Sequence, residues 1–290
     1  MKKVIVYHYD AFCKEPGKGN PAGVVISQGN LTEEEMQEVA YKVGFNETAF
    51  VIKSQKADLG IRYFTPGSEM NLCGHATVAT LFCMKEKGLL KDTELLTIDT
   101  KAGVLPIKIE NSNIRMTQSP PEFEVYTGSK ESLADALGIG VKDIDETLPI
   151  VYGSTGIWTL LVPVVGLKAF SCMKPNNSLF PKILKQKPHA SIHPFCLEAI
   201  HEESNMHARH FSSPHSGTIE DPVTGTASGV MGAYYLKYIN SNVSEVELVV
   251  EQGQEVGRDG KVLVHIKEED NIKVEISGSA VYVNEMTIEI

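Results

Sequence analysis

Apolar positions recur along the chain in two periods, short runs of strand spacing and a few longer stretches of helical spacing. Val4, Val6, Tyr7, Tyr9 and Phe12 outline a first strand with imperfect alternation, and Ala22 to Ile26 reads as a buried one. Thr32 followed by Glu35 forms a capping box, after which Met36, Val39, Ala40 and Val43 make one helical face that Gly44 ends. Phe50 to Ile52 predicts a strand with Glu47 at its entrance. Arg62-Tyr63-Phe64 predicts another, then a tight loop, then a helix from Gly74 through Val78, Leu81, Phe82 and Lys85 to Gly88.

Beyond this helix the pattern predicts strands at Leu95 to Ile98, Val104 to Ile109 and Ile114 to Gln118. Ser119-Pro120-Pro121 follows as a linker, since two prolines block both helix continuation and central strand pairing. Leu133, Ala136 and Leu137 before Gly138 mark a short helix, and Ile157 to Val162 a strong buried strand. A helix over Ser178 to Leu184 and strands over Ala190 to Leu197 and His207 to Phe211 come next. A second apolar helix carries Val230, Met231, Ala233, Tyr234 and Leu236. The tail from Val246 to Ile290 alternates and is punctuated by Gly253, Gly257, Asp259-Gly260 and Gly278, which predicts antiparallel hairpins. Few βαβ alternations occur, so the expected class is α+β.

The two helix starts repeat one another. Arg209-His210-Phe211-Ser212-Ser213-Pro214 echoes Arg62 to Pro66, and Thr224-Gly225-Thr226-Ala227-Ser228 echoes Cys73-Gly74-His75-Ala76-Thr77. The copies lie 147 and 151 positions apart, each close to half of 290 residues. This predicts an internal duplication into units 1–118 and 119–280, with the strand at about 281–290 returning to the first. Each unit is expected to be a sheet wrapped round one apolar helix. Unpaired first-turn amides backed by a helix dipole suit a carboxylate or phosphate, so two such ends are expected to grip one anionic ligand.

Composition narrows the function classes. At 42% apolar residues the chain can bury a sizeable core, and a net charge of −10 argues against broad nucleic-acid or anionic-membrane binding. Five scattered cysteines without a CxxC pair, and no secretion signal at the start, point to reduced thiols and a cytoplasmic protein. The run Leu160 to Val165 is too short to span a membrane and contains Pro163.

Candidate chemistry is sparse. Six of nine histidines fall between 189 and 215, with His189 and His193 at HxxxH spacing. In a strand those two lie about 13 Å apart, so no metal site is expected. The loop from Lys14 to Pro21 lacks the Gly-Lys-Ser/Thr ending of a phosphate-binding loop, and no Gly-x-Ser-x-Gly elbow is present. Glu47, at a strand mouth among apolar neighbours, has the position of a general base, although read alone it fits a solvated turn residue better. Cys73 precedes a helix N-terminus, where thiol acidity rises; the bland reading is a small buried side chain. Asp221 before the second helix either complements the dipole or orients His75 or a substrate amine. His75 itself could be an ordinary early-turn residue.

Taken together in this order, Gly19-Asn20-Pro21, Asn46-Glu47-Thr48-Ala49-Phe50, Phe64-Thr65-Pro66, Cys73-Gly74-His75-Ala76-Thr77 and Glu220 to Ala227 resemble the PhzF-like (phenazine biosynthesis-like) family. The resemblance covers almost the whole chain. It implies the diaminopimelate-epimerase-like fold, two similar domains with the site in the cleft between them, and an isomerase that uses no cofactor. By motif match it implies Glu47 as catalytic acid/base, with His75 and Asp221 as further catalytic residues. Asn20, Cys73, Gly74, Thr224, Gly225 and Thr226 then bind a small carboxylate substrate. Such proteins often pair as homodimers.

Cysteine-dependent epimerases of this fold set one thiol on each side of the substrate carbon. Here Cys73 has Thr224 as its counterpart, so two-thiol racemisation is disfavoured and a proton shift by a single carboxylate is expected. Two alternatives remain open from sequence: an epimerase or racemase using Glu47 with Cys73, and a non-catalytic binding or scaffold protein.

Overall fold

The computed structural model describes residues 2–26, 31–90, 94–110, 113–216 and 218–290. It divides into two compact units, Met1–Thr117 with Ser277–Ile290, and Gln118–Ile276. The class is α+β.

The first unit contains β1 (Lys3–Ala11), β2 (Asn20–Ile26), α1 (Glu33–Val43), β3 (Glu47–Ile52), β4 (Leu59–Phe64), β5 (Glu69–Met70), α2 (Gly74–Glu86), β6 (Leu95–Thr100), β7 (Gly103–Glu110) and β8 (Asn113–Thr117). The C-terminal strand Ala280–Glu289 joins it along β1. From that strand the pairing runs through β1, β2, β3, β4, β6 and β7 to β8. Only β2–β3 and β4–β6 are parallel.

The second unit contains β9 (Glu122–Val125), α3 (Lys130–Leu137), β10 (Val151–Ser154), β11 (Trp158–Pro163), α4 (Leu167–Cys172), α5 (Phe180–Ile183), β12 (Ser191–Cys196), β13 (Met206–Ala208), α6 (Gly225–Tyr234), β14 (Glu245–Gln252) and β15 (Gly260–Glu268), with β16 (Ile272–Gly278) crossing the boundary. From β9 through β15, β11–β12 and β13–β14 are parallel and the other pairs antiparallel. The first unit has the same succession from the C-terminal strand to β7. The duplication visible in two short motifs therefore extends to strand order and direction.

Each unit buries one helix on nearly every side. In α2 the run His75 to Leu81, Cys83 and Met84 is buried, and α2 packs on β1, β2, β3, β8 and the C-terminal strand. In α6 Gly225 and Ala227 to Tyr234 are buried against β10 and β15. An apolar surface all round is what a helix needs when a sheet curls about it. α1 instead is one-sided: Met36, Val39 and Ala40 join Val4, Val6, Val25, Phe50 and Phe64 in a second core layer, and the Thr32–Glu35 capping box starts it.

Local expectations meet tertiary context at a few places. α2 stops at Glu86, and Gly88 takes a left-handed turn just beyond it. The strand expected over His207 to Phe211 ends at Ala208, because Arg209 turns inward to clasp Glu220, and Phe211 makes only isolated bridges to Ile192 and Glu220. The segment Ser178 to Leu184 is a 3₁₀ turn, Asn177–Leu179, followed by the single-turn α5, which Pro181 can enter only at its start. β5, β9 and β10 were not foreseen; each has four residues or fewer.

One buried ionic group ties β13 to β14. His207 lies between two carboxylates, with Nδ1 2.9 Å from Glu251 Oε1 and Nε2 2.9 Å from Glu255 Oε1. Glu251 also accepts from the backbone N–H groups of Ile200 and His201 at 2.6 and 3.0 Å. Burial opposes both charges. The bonds from His207 and these amides nevertheless hold Glu251 down at about 2, and the two glutamates raise His207 above its usual 6.5.

The signs differ between the partners. Stability from Glu251 is present above its usual 4.5 and is lost as pH falls through about 2, whereas that from His207 is present below 6.5 and is lost as pH rises through its raised value. Denaturant midpoints measured from pH 7 downward should therefore fall more steeply below pH 4.5 in the parent than in Glu251→Gln. A midpoint difference that stays constant down to pH 2 would show that the group adds no pH-dependent stability.

Candidate functional site

Three of the expected site residues of the first unit, Asn20, Glu47 and Cys73, converge on His75. Gly19 begins the arrangement. It sits at φ +61°, and a Cβ there would fall 2.2 Å from the backbone oxygen of Ala11, so only glycine makes this turn. The turn delivers Asn20 into β2, fully buried, with its side-chain amide 3.2 Å from His75 Nδ1. A half-turn of that amide exchanges donor for acceptor, so it can serve either a neutral or a charged imidazole.

Glu47 opens β3, in register with Ala22 of β2. Its side chain is only 14% exposed, and the solvated turn reading is corrected on that ground. His75 Nε2 stands 3.1 Å from Glu47 Oε2. The pair is close but poorly aligned for a hydrogen bond, and among the described residues this buried oxygen has no well-aligned donor.

Cys73 Sγ lies 3.5 Å from His75 Nδ1 and 3.8 Å from Nε2. Burial pushes the thiol up, and Glu47 adds to the rise, against the opposing pull of His75. The lowered thiol pKa expected for this position is thus corrected: desolvation outweighs the helix end. For His75 burial disfavours the charge, yet Cys73 and Glu47 together lift it well above its usual value.

Cys73 is also the N-cap of α2, with extended backbone, but its side chain makes no capping bond. The amides of Gly74 and His75 are left for another acceptor. The helix start is secured from its far side, where Thr77 Oγ1 donates to the Cys73 carbonyl at 2.7 Å and pairs with the Tyr63 hydroxyl at 2.6 Å.

The second unit builds the same helix end from different side chains. Thr224 is the N-cap of α6 and likewise makes no capping bond. Its hydroxyl donates instead to Asp221 Oδ2 at 2.5 Å, and its N–H donates to Gln252 Oε1 at 3.1 Å. Ser228 Oγ donates to the Thr224 carbonyl at 2.8 Å, repeating the bond of Thr77. This back-bond is the physical content of the shared Gly-x-Ala-Thr/Ser pattern. Gly225 and Thr226 occupy the first turn as Gly74 and His75 do. Asp221 supports Thr224 within its own unit.

Gln118 and Thr155 were not foreseen. Thr155 Oγ1 donates to Gln118 Oε1 at 2.7 Å and to the Thr226 carbonyl at 3.1 Å, and Gln118 Nε2 lies 3.4 Å from the Gly225 carbonyl. Gly229 makes room for Gln118, since a Cβ there would fall 2.0 Å from its Oε1. No local signal marks either residue, because their roles arise from contacts 71 and 107 positions along the chain.

Strand register identifies the counterpart of Glu47. Thr48 pairs with Phe64 in the first unit, and Ile192 bridges Phe211 in the second. With Phe64 and Phe211 matched by the Arg-x-Phe motif, Glu47 corresponds to Ser191. Ser191 donates to Thr159 Oγ1 at 2.8 Å. Glu47, Cys73 and His75 thus answer to Ser191, Thr224 and Thr226, and only the first set carries carboxylate, thiol and imidazole side chains.

The histidine-rich segment does not converge as HxxxH spacing would require. His189 stacks on His215 at 4.5 Å, while His193 Nδ1 meets His210 Nδ1 at 3.2 Å. Among the described residues, three side chains of metal-ligating type cluster at Glu47, Cys73 and His75, with potential ligand atoms all within 4.8 Å of one another. No helix among the described residues is long and apolar enough to cross a membrane.

Comparison with known proteins supplies the relationship. A family model described as phenazine biosynthesis-like protein matches residues 9–286. The chain is 53% identical over 287 residues to "Uncharacterized isomerase YfhB" of Bacillus subtilis, covering 97% of each chain. It is 28% identical over 278 residues to a "trans-2,3-dihydro-3-hydroxyanthranilate isomerase" of Pseudomonas aeruginosa, covering 93% of this chain and 94% of that one. The crystal structure of a Bacillus anthracis phenazine biosynthesis protein of the PhzF family superposes with a TM-score of 0.98 at 55% identity over all of both chains. These names agree with the expectation of an isomerase. The chain belongs to the phenazine biosynthesis-like, or PhzF, family.

Proposed function

We propose that this protein is an isomerase that moves a proton within a small carboxylate-bearing metabolite, with Glu47 as its acid/base and no cofactor. The observation that carries this reading is the buried Glu47–His75–Cys73 group of the first unit, whose register counterparts in the second are Ser191, Thr226 and Thr224. A single carboxylate can take a proton from one carbon and return it to another on the same face. A neighbouring charged His75 stabilises negative charge as it develops on the substrate.

Acid/base help contributes roughly 10²–10⁴-fold, too little alone to ionise a weakly acidic C–H. Each well-aimed donor to the developing enolate is worth about 2.7–4 kcal/mol. The uncapped amides of Gly74 and His75 are suited to that task or to holding the substrate carboxylate. Asp221 as a catalytic residue, and Thr224, Gly225 and Thr226 as substrate-binding residues, enter this proposal on the family motif and on the equivalent uncapped start of α6. The name of the Pseudomonas aeruginosa relative suggests an amino- and hydroxy-substituted cyclic acid as the class of substrate to try first.

Epimerisation by Glu47 and Cys73 acting from opposite faces is less well supported. Two groups each about 3–3.5 Å from one carbon, on opposite sides, lie roughly 6–7 Å apart. Here the reactive atoms are within 4.8 Å, and burial makes the thiol a weaker acid than usual.

The test is a screen of cyclic amino- and hydroxy-carboxylates for deuterium uptake from D₂O. Glu47→Gln should slow the exchange at least about 100-fold; exchange as fast as in the parent would remove Glu47 from the acid/base role. Inversion of a stereocentre that is abolished in Cys73→Ser would favour the epimerase instead. Tight binding of a carboxylate without any exchange across the panel would mark a binding protein.

A further inference from the structure

Asn20 and Glu47 each reach His75 from the first residue of a strand. Asn20 opens β2 opposite Ala11 of β1, before the pairing with β3 begins at Ala22. Glu47 opens β3 opposite Ala22, before the pairing with β4 begins at Thr48. Each has a ladder partner on one side only, so the loop ahead of it sets where its side chain stands.

Both loops are held by the same two residues of β1. Asp10 is fully buried, and its Oδ2 accepts the Gly17 N–H at 2.7 Å, in the turn that leads through Gly19 to Asn20. Asp10 Oδ1 lies 3.1 Å from His8 Nε2, which as the donor to a carboxylate carries the proton. The buried His8 ring packs on Phe45 with centroids 4.4 Å apart, and Phe45 stands two residues before Glu47. At His8 and Asp10 the strand is paired on both sides, with β2 and with the C-terminal strand, so the anchor is rigid. We propose that His8 and Asp10 are positioning residues, one buried imidazole–carboxylate pair that fixes both loops delivering Asn20 and Glu47 to His75. The effect on rate rests on the isomerase reading; the tie between the loops does not.

The second unit supplies the contrast. Ala22 faces Glu47 as Thr159 faces Ser191, so strand register matches His8 and Asp10 with Tyr152 and Ser154. Ser154 Oγ accepts the Gly156 N–H at 3.1 Å, which repeats the bond of Asp10 to Gly17 in weaker, uncharged form. That hairpin turns within Thr155 to Ile157, with Ile157 at the place of Asn20. The first unit has the longer loop from Phe12 to Gly19, and there the serine and tyrosine are replaced by a carboxylate and an imidazole. The stronger anchor thus stands in the unit that holds Glu47, Cys73 and His75.

The first arm of the experiment needs no substrate. In the parent chain the Gly17 amide should exchange slowly with D₂O, although Gly17 is an exposed loop residue, and rapidly in Asp10→Ala. With ¹⁵N-labelled histidine, the His75 resonances, assigned by their loss in His75→Gln, should shift in Asp10→Ala and in His8→Ala. They should hold in Asp10→Asn, whose amide can still accept from Gly17 and donate to His8. The second arm uses the carboxylate identified by the deuterium-uptake screen. Asp10→Ala and His8→Ala should lower kcat about 10–100-fold, the scale of loss from a misplacement of about 1 Å, with KM changed less than about threefold. Asp10→Asn should restore most of the rate, and Asp10→Ala should cost little more once Glu47→Gln is present. A rapidly exchanging Gly17 amide in the parent overturns the proposal even where a variant does not fold. Folded Ala variants with unmoved His75 resonances, or with the parent's kcat, overturn it too. If Glu47→Gln exchanges substrate hydrogen as fast as the parent, the isomerase reading falls, and the Gly17 and His75 signals still decide the tie.

Discussion

A guanidinium held in a carboxylate fork closes the turn ahead of each central helix. Arg62 Nε and Nη2 donate to Glu69 at 2.7 and 2.6 Å, and Arg209 does the same to Glu220 at 2.8 and 2.6 Å. Each guanidinium also lies over the phenylalanine two residues on, at 5.1 Å for Phe64 and 4.7 Å for Phe211. In each unit the clasped glutamate stands four residues before the N-cap, Cys73 or Thr224. Neither N-cap spends its side chain on the helix. The fork in front and the hydroxyl back-bond of Thr77 or Ser228 behind hold the helix start, so Cys73 is left to face His75 and Thr224 to meet Asp221. Removing one partner of a buried pair costs about 3–5 kcal/mol, a figure that applies to Arg209–Glu220; the Arg62 fork is partly exposed and shares its charges with Glu33 and Lys101.

Much of this frame is legible in the sequence because it is local. The Gly-x-Ala-Thr/Ser repeat, the Arg-x-Phe repeat and the apolar helices after each glycine are read within a dozen residues. The other half of the fork is not. Glu69 follows its arginine by 7 positions and Glu220 by 11, because the turn in the second unit is four residues longer. The same insertion explains why the two motifs repeat at 147 and then at 151 positions. A change of turn length hides the repeated ion pair from a search for equal spacing while leaving its geometry intact.

Electrostatics were legible only in kind. Glu47, His75 and Cys73 could be named, yet Glu47 taken alone resembles a turn residue, and Cys73 at a helix start suggests an acidified thiol. What reverses the second reading is desolvation, a property of the sheet wrapped round α2 that no neighbouring residue encodes. The His207–Glu251–Glu255 clamp is hidden for the same reason, its partners lying 44 and 48 positions away. Periodicity finds faces and motifs find loops, but the sign of a pKa shift depends on how completely the fold excludes water.

The difference between the units follows from that last point. Burying ionisable groups costs several kcal/mol each unless they satisfy one another. In the first unit Glu47, His75 and Cys73 do so only in part, since one glutamate oxygen has no well-aligned donor among the described residues. The second unit bears no such cost at the matching positions: Ser191 bonds Thr159, Thr224 bonds Asp221, and Thr226 is uncharged. Duplicating an uncapped helix start costs little, because first-turn amides without a side-chain cap can be satisfied by water or by any acceptor that reaches them. Duplicating the buried, only partly satisfied ionisable group would instead double its desolvation penalty. On the proposed reading of Glu47 as acid/base, one ionisable group suffices for same-face chemistry, whereas two-sided inversion would require a titratable group in each unit.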